Sequence, residues 1–372
     1  MKLLIVSTAP LIYKGQTLFA YSPYVSELKV LEKFADEIVF CCPVWKSENG
    51  LLIAEIPFNI TKHFKLIDFN LNSFSNFFKS FFAAFYNIVL LFTAMKNADH
   101  IHLRCPGNIG LLASFVQVLF PHKQKTAKYA GNWDPKSKQP LTYKIQKWIL
   151  SNTFLTRNMT ILVYGNWLNQ SKNVKPFFTA TYSESEKEVL PPKNIDGTIE
   201  FIFVGSLVLG KNPLYAIKLA ERLIKKGNDI VLNIYGEGKE RSNLEHYIIT
   251  HHLENRIFLH GNQNKQTLKE AYQKSHFVLL PSKSEGWPKA IAEGMFWGCI
   301  PIATTVSCVP FMLEYGKRGV LLEMNLDKDA NEIRQIIRDE KTFLDKSNLA
   351  LEWSQVYTTD FFEDEIKKLL LK

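Results

Sequence analysis

Two glutamates in the segment 277–304, Glu285 and Glu293, are separated by seven residues. An apolar run at 277–280 predicts a buried strand, and Glu285 lies in the loop that follows it. Glu293 lies within the helix predicted for 289–296. Carboxylates accept hydrogen bonds from sugar and ribose hydroxyls, and ligands of open α/β sheets bind at the carboxyl ends of the strands. Both acids are therefore expected to face one crevice, although an isolated pair with this spacing is more often two exposed surface charges.

The same segment predicts one parallel βαβ unit. Pro288 suits the first position of the helix, where a missing N–H costs nothing, and Gly298 ends that helix. A second apolar run at 299–303 predicts another buried strand. A strand, loop, helix and strand in this order form the crossover of a parallel sheet, which places the loop of Glu285 at the carboxyl edge.

A second candidate ligand contact lies at 205–213, where GSLVLGKNP joins a predicted strand to a predicted helix. Gly205 and Gly210 permit close approach of the backbone to a ligand, and Lys211 adds a positive charge beside a helix start. This arrangement suits a phosphate, but it is neither a P-loop nor a dinucleotide fingerprint. A plain strand-to-helix turn explains it at least equally well, and a flexible turn explains the Gly-Glu-Gly sequence at 236–238.

The excess positive charge belongs to the first half of the chain. The chain has 372 residues and a formal net charge of +9. Residues 1–190 hold 21 Lys and Arg against 12 Asp and Glu, whereas residues 191–372 hold 24 of each. A basic half can attract nucleic acid, an anionic membrane surface or an anionic substrate. The sequence shows no zinc-finger, RNA-recognition or helix-turn-helix pattern, so nucleic acid is not expected as a partner.

The cysteines and the start of the chain predict a cytoplasmic protein. The five cysteines are odd in number, none has C-x-x-C spacing, and most fall in apolar runs typical of strands. Reduced, buried thiols are the expected state. Met1 leads almost directly into an apolar run at 3–6, without the long hydrophobic region of a secretory signal.

Strand and helix signals alternate through both halves of the chain. In the first half a loop is predicted through residue 22, and strands are predicted at 2–10, 37–44, 52–58, 101–106, 126–131 and, as the last of that domain, 159–165. The periodicity fades over 172–195 and restarts with a strand at 199–207. This pattern is typical of two doubly wound α/β domains. The predicted organisation is a first domain at 1–180, a linker at 181–198, a second domain at 199–350, and a C-terminal helix at 351–372 that packs back towards the first domain.

A Phe-rich segment at 69–95 carries a single charge, at Lys79. A membrane-spanning helix needs about 20 continuous apolar residues, and polar residues between 72 and 79 interrupt this segment. The segment is therefore not expected to span a membrane. A buried core helix, an interfacial helix that dips into a membrane, and a wall of an acceptor site all remain open.

The second half resembles the donor-binding domain of retaining glycosyltransferases of family 4, which have the GT-B fold. The resemblance covers roughly residues 199–323 and is carried by FVGSLVLGKNP, IYGEG, FLHG, the helix that contains Tyr272, and the E-x7-E segment. It implies an α/β chain with two doubly wound, Rossmann-like domains that face each other across a cleft holding the active site. It also implies transfer of a sugar from a nucleoside-diphosphate sugar with retention at the anomeric carbon.

The resemblance implies roles for individual residues of this chain. Glu285 would bind the donor sugar, Glu293 would bind the nucleotide ribose, and Lys211 would hold the diphosphate. Glu285 and Lys211 are accordingly the expected catalytic residues. The expected donor site comprises Gly205, Ser206, Lys211, Gly236, Glu237, Glu285, Gly286, Trp287, Pro288 and Glu293.

No metal is expected at this site. A lysine and the N–H groups of a helix terminus can stabilise the charge that develops on a departing nucleoside diphosphate. The D-x-D pattern at 327–329 lies at a predicted helix start, where an N-cap explains it better than a metal site does. No cofactor is expected besides the donor substrate, a UDP- or GDP-linked sugar.

The chain departs from the family pattern at three places. Ser206 stands where the family usually has arginine, so one cation for the diphosphate is missing. Residues 306–310 lack the usual Gly-Gly-x-Pro-Glu sequence, which leaves the donor sugar unassigned. The histidine common in the acceptor domain is not evident. The candidate acceptor-side residues are instead Arg104, Asn132 and Asp134, with His100 and His102 as further candidates.

The expected function is transfer of a sugar onto a glycan or lipid-linked glycan in the biosynthesis of a bacterial surface polysaccharide. The basic first half would bind the acceptor, and the enzyme would work in the cytoplasm, either free or peripherally at the inner face of the membrane. Two alternatives stay open: a non-catalytic glycan-binding or scaffolding protein with the GT-B fold, and a sugar-nucleotide epimerase. A nicotinamide dehydrogenase is disfavoured because neither domain begins with a dinucleotide fingerprint.

Overall fold

The computed structural model describes residues 1–48, 50, 52–69 and 77–371. The chain divides into two compact units: unit 1 comprises residues 1–177 and 363–372, and unit 2 comprises residues 178–362. Residues 181–198, which the sequence predicts as a linker, are counted in unit 2. Residues 363–372, from the predicted C-terminal helix, are counted in unit 1.

Unit 1 is an α/β domain. Its strands are β1 (Lys2–Val6), β2 (Leu11–Lys14), β3 (Thr17–Tyr21), β4 (Glu37–Trp45), β5 (Ile53–Glu55), β6 (Lys62–Leu66), β7 (His100–Cys105), β8 (Gln124–Tyr129), β9 (Met159–Tyr164) and β10 (Val174–Phe177). Its helices are α1 (Ser22–Glu32), α2 (Phe77–Lys96), α3 (Asn108–Val116) and α4 (Leu141–Ser151). In the described part of the chain the strand order is β10-β9-β8-β7-β1-β4-β2-β3-β5, with β6 also paired to β4.

The central strands of unit 1 are parallel and buried on both faces. β1 pairs in parallel with β4 and β7, and Leu3 to Val6 of β1 are fully buried, as expected of a continuous apolar run in a parallel sheet. One face carries α2, α3 and α4, which share a hydrophobic core with β1, β4 and β7. The opposite face carries α1. No helix within the described ranges is long and apolar enough to cross a membrane.

Short strands account for the errors in the predicted first domain. The expected loop through residue 22 contains β2 and β3, which form an antiparallel pair. The strand at 159–165 is not the last, because β10 follows it and pairs with β9. β10 has only four residues, VKPF, and includes Lys175 and Pro176. Such an edge strand lacks the apolar run by which strands are recognised in a sequence.

A buried ion cluster lies between α1 and the sheet of unit 1. Nη2 of Arg104 lies 2.6 Å from Oε2 of Glu27, and Lys128 pairs with the other oxygen of the same carboxylate. The Arg104 guanidinium also stacks on Tyr24, 3.6 Å from the ring centroid. Arg104 is only 5% exposed, so the expectation that it contacts an acceptor is corrected: its charge is used inside the domain.

Unit 2 is a second α/β domain. Its strands are β11 (Ile199–Val204), β12 (Ile230–Tyr235), β13 (Ile257–Gly261), β14 (Phe277–Leu280), β15 (Ile300–Thr304) and β16 (Val320–Leu322). Its helices are α5 (Pro213–Lys225), α6 (Arg241–Thr250), α7 (Lys265–Lys274), α8 (Lys289–Phe296), α9 (Val309–Met312), α10 (Leu326–Arg338) and α11 (Glu340–Ser354), followed by α12 (Thr359–Leu370), whose last residues belong to unit 1. The strands are parallel in the order β13-β12-β11-β14-β15-β16.

The C-terminal part of unit 2 differs from the prediction in two details. The single terminal helix expected there is two helices, α11 and α12, with a break between Ser354 and Thr359. The N-cap of α10 is Asn325, whose Oδ1 accepts from two backbone N–H groups, rather than a residue of the D-x-D pattern. Asp329 of that pattern is buried, where it accepts hydrogen bonds from the Tyr215 hydroxyl and the Glu323 backbone N–H.

The buried ion cluster predicts a pH-dependent contribution to stability. Burial alone would raise the pKa of Glu27, but the charges and hydrogen bonds of Lys128 and Arg104 lower that pKa to about 2. The stabilisation is therefore fully present above the unfolded value of about 4.3 and is lost as the pH falls towards the folded value. Glu27→Gln leaves two buried cations without their carboxylate and is expected to destabilise unit 1 by about 3–5 kcal/mol at neutral pH.

Chemical denaturation of the wild type and of Glu27→Gln between neutral pH and pH about 2 checks this. The difference in unfolding free energy should shrink as the pH falls below about 4. Glu32→Gln, on the same helix, is the control and should change the unfolding free energy by less than about 0.5 kcal/mol. A Glu27→Gln variant as stable as the wild type at neutral pH would contradict the assignment.

Candidate functional site

The loops after β11 and β12 pack backbone against backbone at the carboxyl edge of the unit 2 sheet. The Gly205 N–H donates to the Tyr235 carbonyl at 3.0 Å, and the Leu207 N–H donates to the Glu237 carbonyl at 2.9 Å. A Cβ placed on Gly236 would lie 2.0 Å from the Gly205 carbonyl oxygen, so no other residue fits there without a shift of the backbone. The two glycine-containing sequences noticed separately in the chain therefore form one structural element.

Lys211 and Glu285 form an ion pair at this edge. Nζ of Lys211 lies 2.5 Å from Oε1 of Glu285, and the two side chains are 31% and 7% exposed. Lys211 lies in the loop after β11 and Glu285 in the loop after β14, and these strands are hydrogen-bonded neighbours. A further bond joins the loops, because the Lys283 N–H donates to the Gly210 carbonyl at 2.8 Å. The ammonium is the more exposed partner, so it is the group that a ligand can reach.

The ion pair lies where the strand order reverses. Successive strands run outward from β11 through β12 to β13 on one side, and from β14 through β15 to β16 on the other. The crevice outside such a switch point is where open α/β sheets bind ligands. Lys211 and Glu285 come from the loops after β11 and β14, the two strands that flank the switch point. The ion pair therefore lies where ligand binding is expected.

The start of α8 is held by contacts from two directions. The sequence predicts Pro288 at the first helical position. In the structure Pro288 is the N-cap, and Lys289 is the first residue of α8. The Gly286 carbonyl accepts from Oγ of Ser307 and Sγ of Cys308, at 3.2 and 3.1 Å. Trp287 is buried and stacks on Trp353, with ring centroids 6.1 Å apart. These contacts fix the loop that carries Glu285, and Trp287 itself is a packing residue.

Glu293 has a separate environment one turn into α8. Its Oε1 accepts from Oγ1 of Thr181 at 2.7 Å, and its Oε2 accepts from the Tyr272 hydroxyl at 3.3 Å. Burial raises the pKa of Glu293, and the hydrogen bond from Thr181 and the positive charge of Lys289 oppose that effect. The carboxylate lines a cavity of about 20 Å³, room for roughly one water molecule. Glu285 and Glu293 thus have different partners in the structure, Lys211 for the first and the hydroxyls of Thr181 and Tyr272 for the second.

Two other expected donor-site residues lie on the surface of the glycine element. Ser206 is exposed, and its carbonyl accepts from the Val208 N–H at 2.9 Å. Glu237 is exposed and pairs with Arg241 of α6, with 2.5 Å between Oε1 and Nη1. Arg241 is therefore a cation near the glycine element that the sequence reasoning did not identify.

The remaining acceptor-side candidates shape the structure of unit 1. Oδ1 of Asn132 accepts from the Asp134 N–H at 2.9 Å, and Oδ1 of Asp134 accepts from the Lys136 N–H at 2.8 Å, so both stabilise the loop after β8. His100 and His102 are buried, and both bond to Oγ1 of Thr126. Burial lowers the pKa of His100 to about 4 and holds the pKa of His102 well below its usual value. The two histidines are therefore neutral at physiological pH.

Other residues of the site were not identified as such from the sequence. Thr181 and Tyr272 are distant from Glu293 in sequence. Thr181 lies in no motif, and the helix that contains Tyr272 is part of the family resemblance without indicating a contact with Glu293. Ser307 and Cys308 appear in the sequence only as a departure from a family pattern, yet both bond to the loop of Glu285. The tertiary fold brings these groups together, and no local spacing reports it.

Comparisons with known proteins find relatives for the part of the chain that contains this site. Residues 185–351 match the family model of glycosyl transferases group 1. The chain is similar to a glycosyltransferase of Haemophilus influenzae, with 27% identity over 50% of this chain and 54% of that protein. It is also similar to the UDP-Gal:alpha-D-GlcNAc-diphosphoundecaprenol alpha-1,3-galactosyltransferase of Escherichia coli, with 29% identity over 38% of this chain and 37% of that protein. The chain thus spans about half or less of the length of these curated relatives.

The likeness to solved structures extends over the whole chain. The apo form of the lipopolysaccharide outer core galactosyltransferase WaaB superposes with a TM-score of 0.73 at 14% identity, covering 100% of this chain and 99% of that one. At this identity the match concerns the fold, which is GT-B with two Rossmann-like domains. Residues 185–351 thus carry the sequence pattern of glycosyl transferases group 1 on a chain that has the GT-B fold.

Proposed function

We propose that the protein is a retaining glycosyltransferase of family 4 that transfers a sugar from a nucleoside-diphosphate sugar to a glycan or a lipid-linked glycan. The observation that carries the proposal is the Lys211–Glu285 ion pair at the switch point of the unit 2 sheet. A cation for a diphosphate and a carboxylate for sugar hydroxyls lie together in the place where such a fold binds ligands. The match of residues 185–351 to glycosyl transferases group 1 supports the same function.

In the proposed reaction Lys211 acts on the leaving group. The bond between the anomeric carbon and the diphosphate oxygen breaks, and negative charge develops on the diphosphate. The ammonium of Lys211 stabilises that charge without a metal ion. A bond forms from the acceptor oxygen to the same face of the anomeric carbon, and the acceptor proton leaves with the nucleoside diphosphate.

Glu285 has two successive roles in this proposal. Before the donor binds, its carboxylate holds the Lys211 ammonium at the switch point. With the donor bound, its oxygens accept hydrogen bonds from hydroxyls of the transferred sugar. Glu293 would bind the ribose hydroxyls, which requires them to replace the hydroxyls of Thr181 and Tyr272 that it now accepts from.

We propose that the acceptor is anionic and works with the basic residues of unit 1. Residues 69–177 hold 13 Lys and Arg against 2 Asp and Glu, whereas residues 1–68 hold 7 of each. Arg104 and Lys128 are paired with Glu27 inside the domain, and the other cations of 69–177 still outnumber its acidic residues. The Escherichia coli relative is named for a diphosphoundecaprenol-linked acceptor, and a diphosphate would be attracted by such a charge excess. The proposed location is the cytoplasm, at the inner face of the membrane, within biosynthesis of a bacterial surface polysaccharide.

A thermal-shift panel tests the donor class. A ligand that binds the folded chain stabilises it by about 2.7 kcal/mol when the ligand concentration is 100 times the Kd, and this stabilisation raises the unfolding temperature. One of UDP, GDP and ADP, and the matching nucleotide sugar, is expected to stabilise the chain clearly above the others. Absence of any shift would contradict the proposal. Epimerised donor formed without acceptor would identify an epimerase, and donor-independent glycan binding would identify a scaffold.

Lys211→Ala is expected to weaken binding of the nucleoside diphosphate by about 10- to 100-fold, because one charge-assisted hydrogen bond to the diphosphate is lost. Titration calorimetry with the base selected by the thermal-shift panel measures this directly. Lys225→Ala is a matched control, since Lys225 forms an ion pair with Glu221, whose side chain is also 7% exposed. An equal loss of affinity in both variants would show that Lys211 acts only through stability.

Removal of divalent metal is expected to leave transfer unchanged, because Lys211 supplies the charge that a metal ion would otherwise supply. The measurement is the initial rate of sugar transfer before and after treatment with EDTA. A rate abolished by EDTA and restored by magnesium or manganese would refute metal independence while leaving the donor assignment intact.

A further inference from the structure

α2 presents an apolar face to solvent. Its opposite side is buried in the core of unit 1 through Ala83, Leu91 and Met95. The outward side chains are large and apolar, and six of them are 42–70% exposed: Phe81, Phe82, Phe85, Tyr86, Val89 and Phe92. Within the Phe-rich segment, residues 70–76 lie outside the described residues, and α2 is a core helix on one side only. A solvent-exposed face with this many aromatic side chains is unusual for a soluble surface and marks an interaction site.

The apolar surface continues across the neighbouring helices. The rings of Phe92 and Phe120 lie with centroids 5.2 Å apart, which links α2 to the segment that follows α3. On α4, Leu141 and Trp148 are 72% and 62% exposed on one side of the helix, and Phe154 follows it with 71% exposed. We call the outward surface of α2, α3 and α4 the helical face. All three helices lie on the same side of the sheet.

The helical face is also basic. The sequences of α2, α3 and α4 contain no Asp or Glu. Lys144 is exposed on α4 between Leu141 and Trp148, and Arg157 is exposed with its guanidinium 4.8 Å from the ring of Phe154. The excess charge of unit 1 thus lies in the same stretch of chain as the exposed aromatic side chains.

We propose that the helical face of unit 1 docks on an anionic lipid bilayer, with α2 lying in the plane of the interface. Aromatic and aliphatic side chains enter the boundary between headgroups and acyl chains, and lysine and arginine contact anionic headgroups. α2 does not cross the bilayer, because its buried side chains are part of the core of the domain. The exposed aromatic side chains and the basic residues of the helical face support this docking on their own, and only the link to a lipid-linked acceptor rests on the proposed function.

A groove on α2 gives this surface a specific use. It has a volume of about 590 Å³ and an almost wholly apolar lining, formed by Ile67, Phe82, Ala83, Phe85, Tyr86 and Val89. β6 ends at Leu66 and α2 then runs back towards the start of β7, so the first turns of α2 lie near the carboxyl edge of the sheet. A hydrocarbon chain held in the groove would therefore keep its polar head at that edge.

Flotation of the full chain with vesicles tests the proposal, using phosphatidylcholine alone and phosphatidylcholine mixed with phosphatidylglycerol. The wild type is expected to float with the mixed vesicles at low ionic strength. Phe82→Ser with Phe85→Ser should weaken partitioning about tenfold or more, because apolar area no longer leaves water. Lys144→Glu with Arg157→Glu should weaken binding to the mixed vesicles and remove its dependence on salt.

The control is Ile249→Ser with Leu349→Ser, two side chains of unit 2 that are 59% and 41% exposed. This variant should float like the wild type. Wild-type chain that floats with neither vesicle, or a control that loses flotation equally, would overturn the proposal. So would a concentration-dependent dimer that Phe82→Ser with Phe85→Ser dissociates, since a second copy would then cover the face. The assay contains no nucleotide, so failure of the donor thermal shift does not affect its outcome.

Discussion

The strand order of unit 2 is the constraint on which the candidate site depends. β11 and β14 are about 75 residues apart in the sequence but adjacent in the sheet, and their loops meet at the point where the order reverses. Lys211 and Glu285 can form an ion pair only because of that adjacency. The buried apolar strands that fix the order thereby also fix the distance between the two charges. The packing of the unit 2 core therefore also determines where Lys211 and Glu285 lie.

The structure of unit 2 was largely predictable because its sequence signals are local. The strands β11, β12, β14 and β15 consist mainly of apolar residues, as in a parallel sheet covered on both faces, and the loops after β11, β12 and β14 contain a glycine, lysine or glutamate. The rule that ligands bind at carboxyl edges then brings those residues together. The partners of Glu293 were not predictable, since Thr181 precedes the unit 2 sheet and Tyr272 lies on α7. The side-chain contact between three such elements has no sequence period.

Unit 1 was predicted less well for a physical reason. In the sequence nothing distinguishes Arg104 and Lys128 from cations that could bind a ligand. In the structure they lie side by side on β7 and β8, beneath α1, where Glu27 pairs with both. A charge count therefore overstates the charge that a ligand meets. Short strands with polar residues, such as β6 and β10, were not predicted. Their pairing depends on the neighbouring strands rather than on their own apolar content.

The two faces of the unit 1 sheet differ in which side chains they bury and expose. Beneath α1, basic residues are buried. Arg104 and Lys128 are balanced by Glu27, and His100, whose pKa burial lowers to about 4, is neutral. Across α2, α3 and α4, aromatic residues are exposed and acidic residues are absent from the helices. A domain selected only for stability and solubility would have the reverse arrangement, with aromatic residues inside and charge outside. The inversion is explained if the solvent facing α2 is a lipid interface, because exposed Phe side chains then leave water on docking and the lysines and arginines lie at headgroup level.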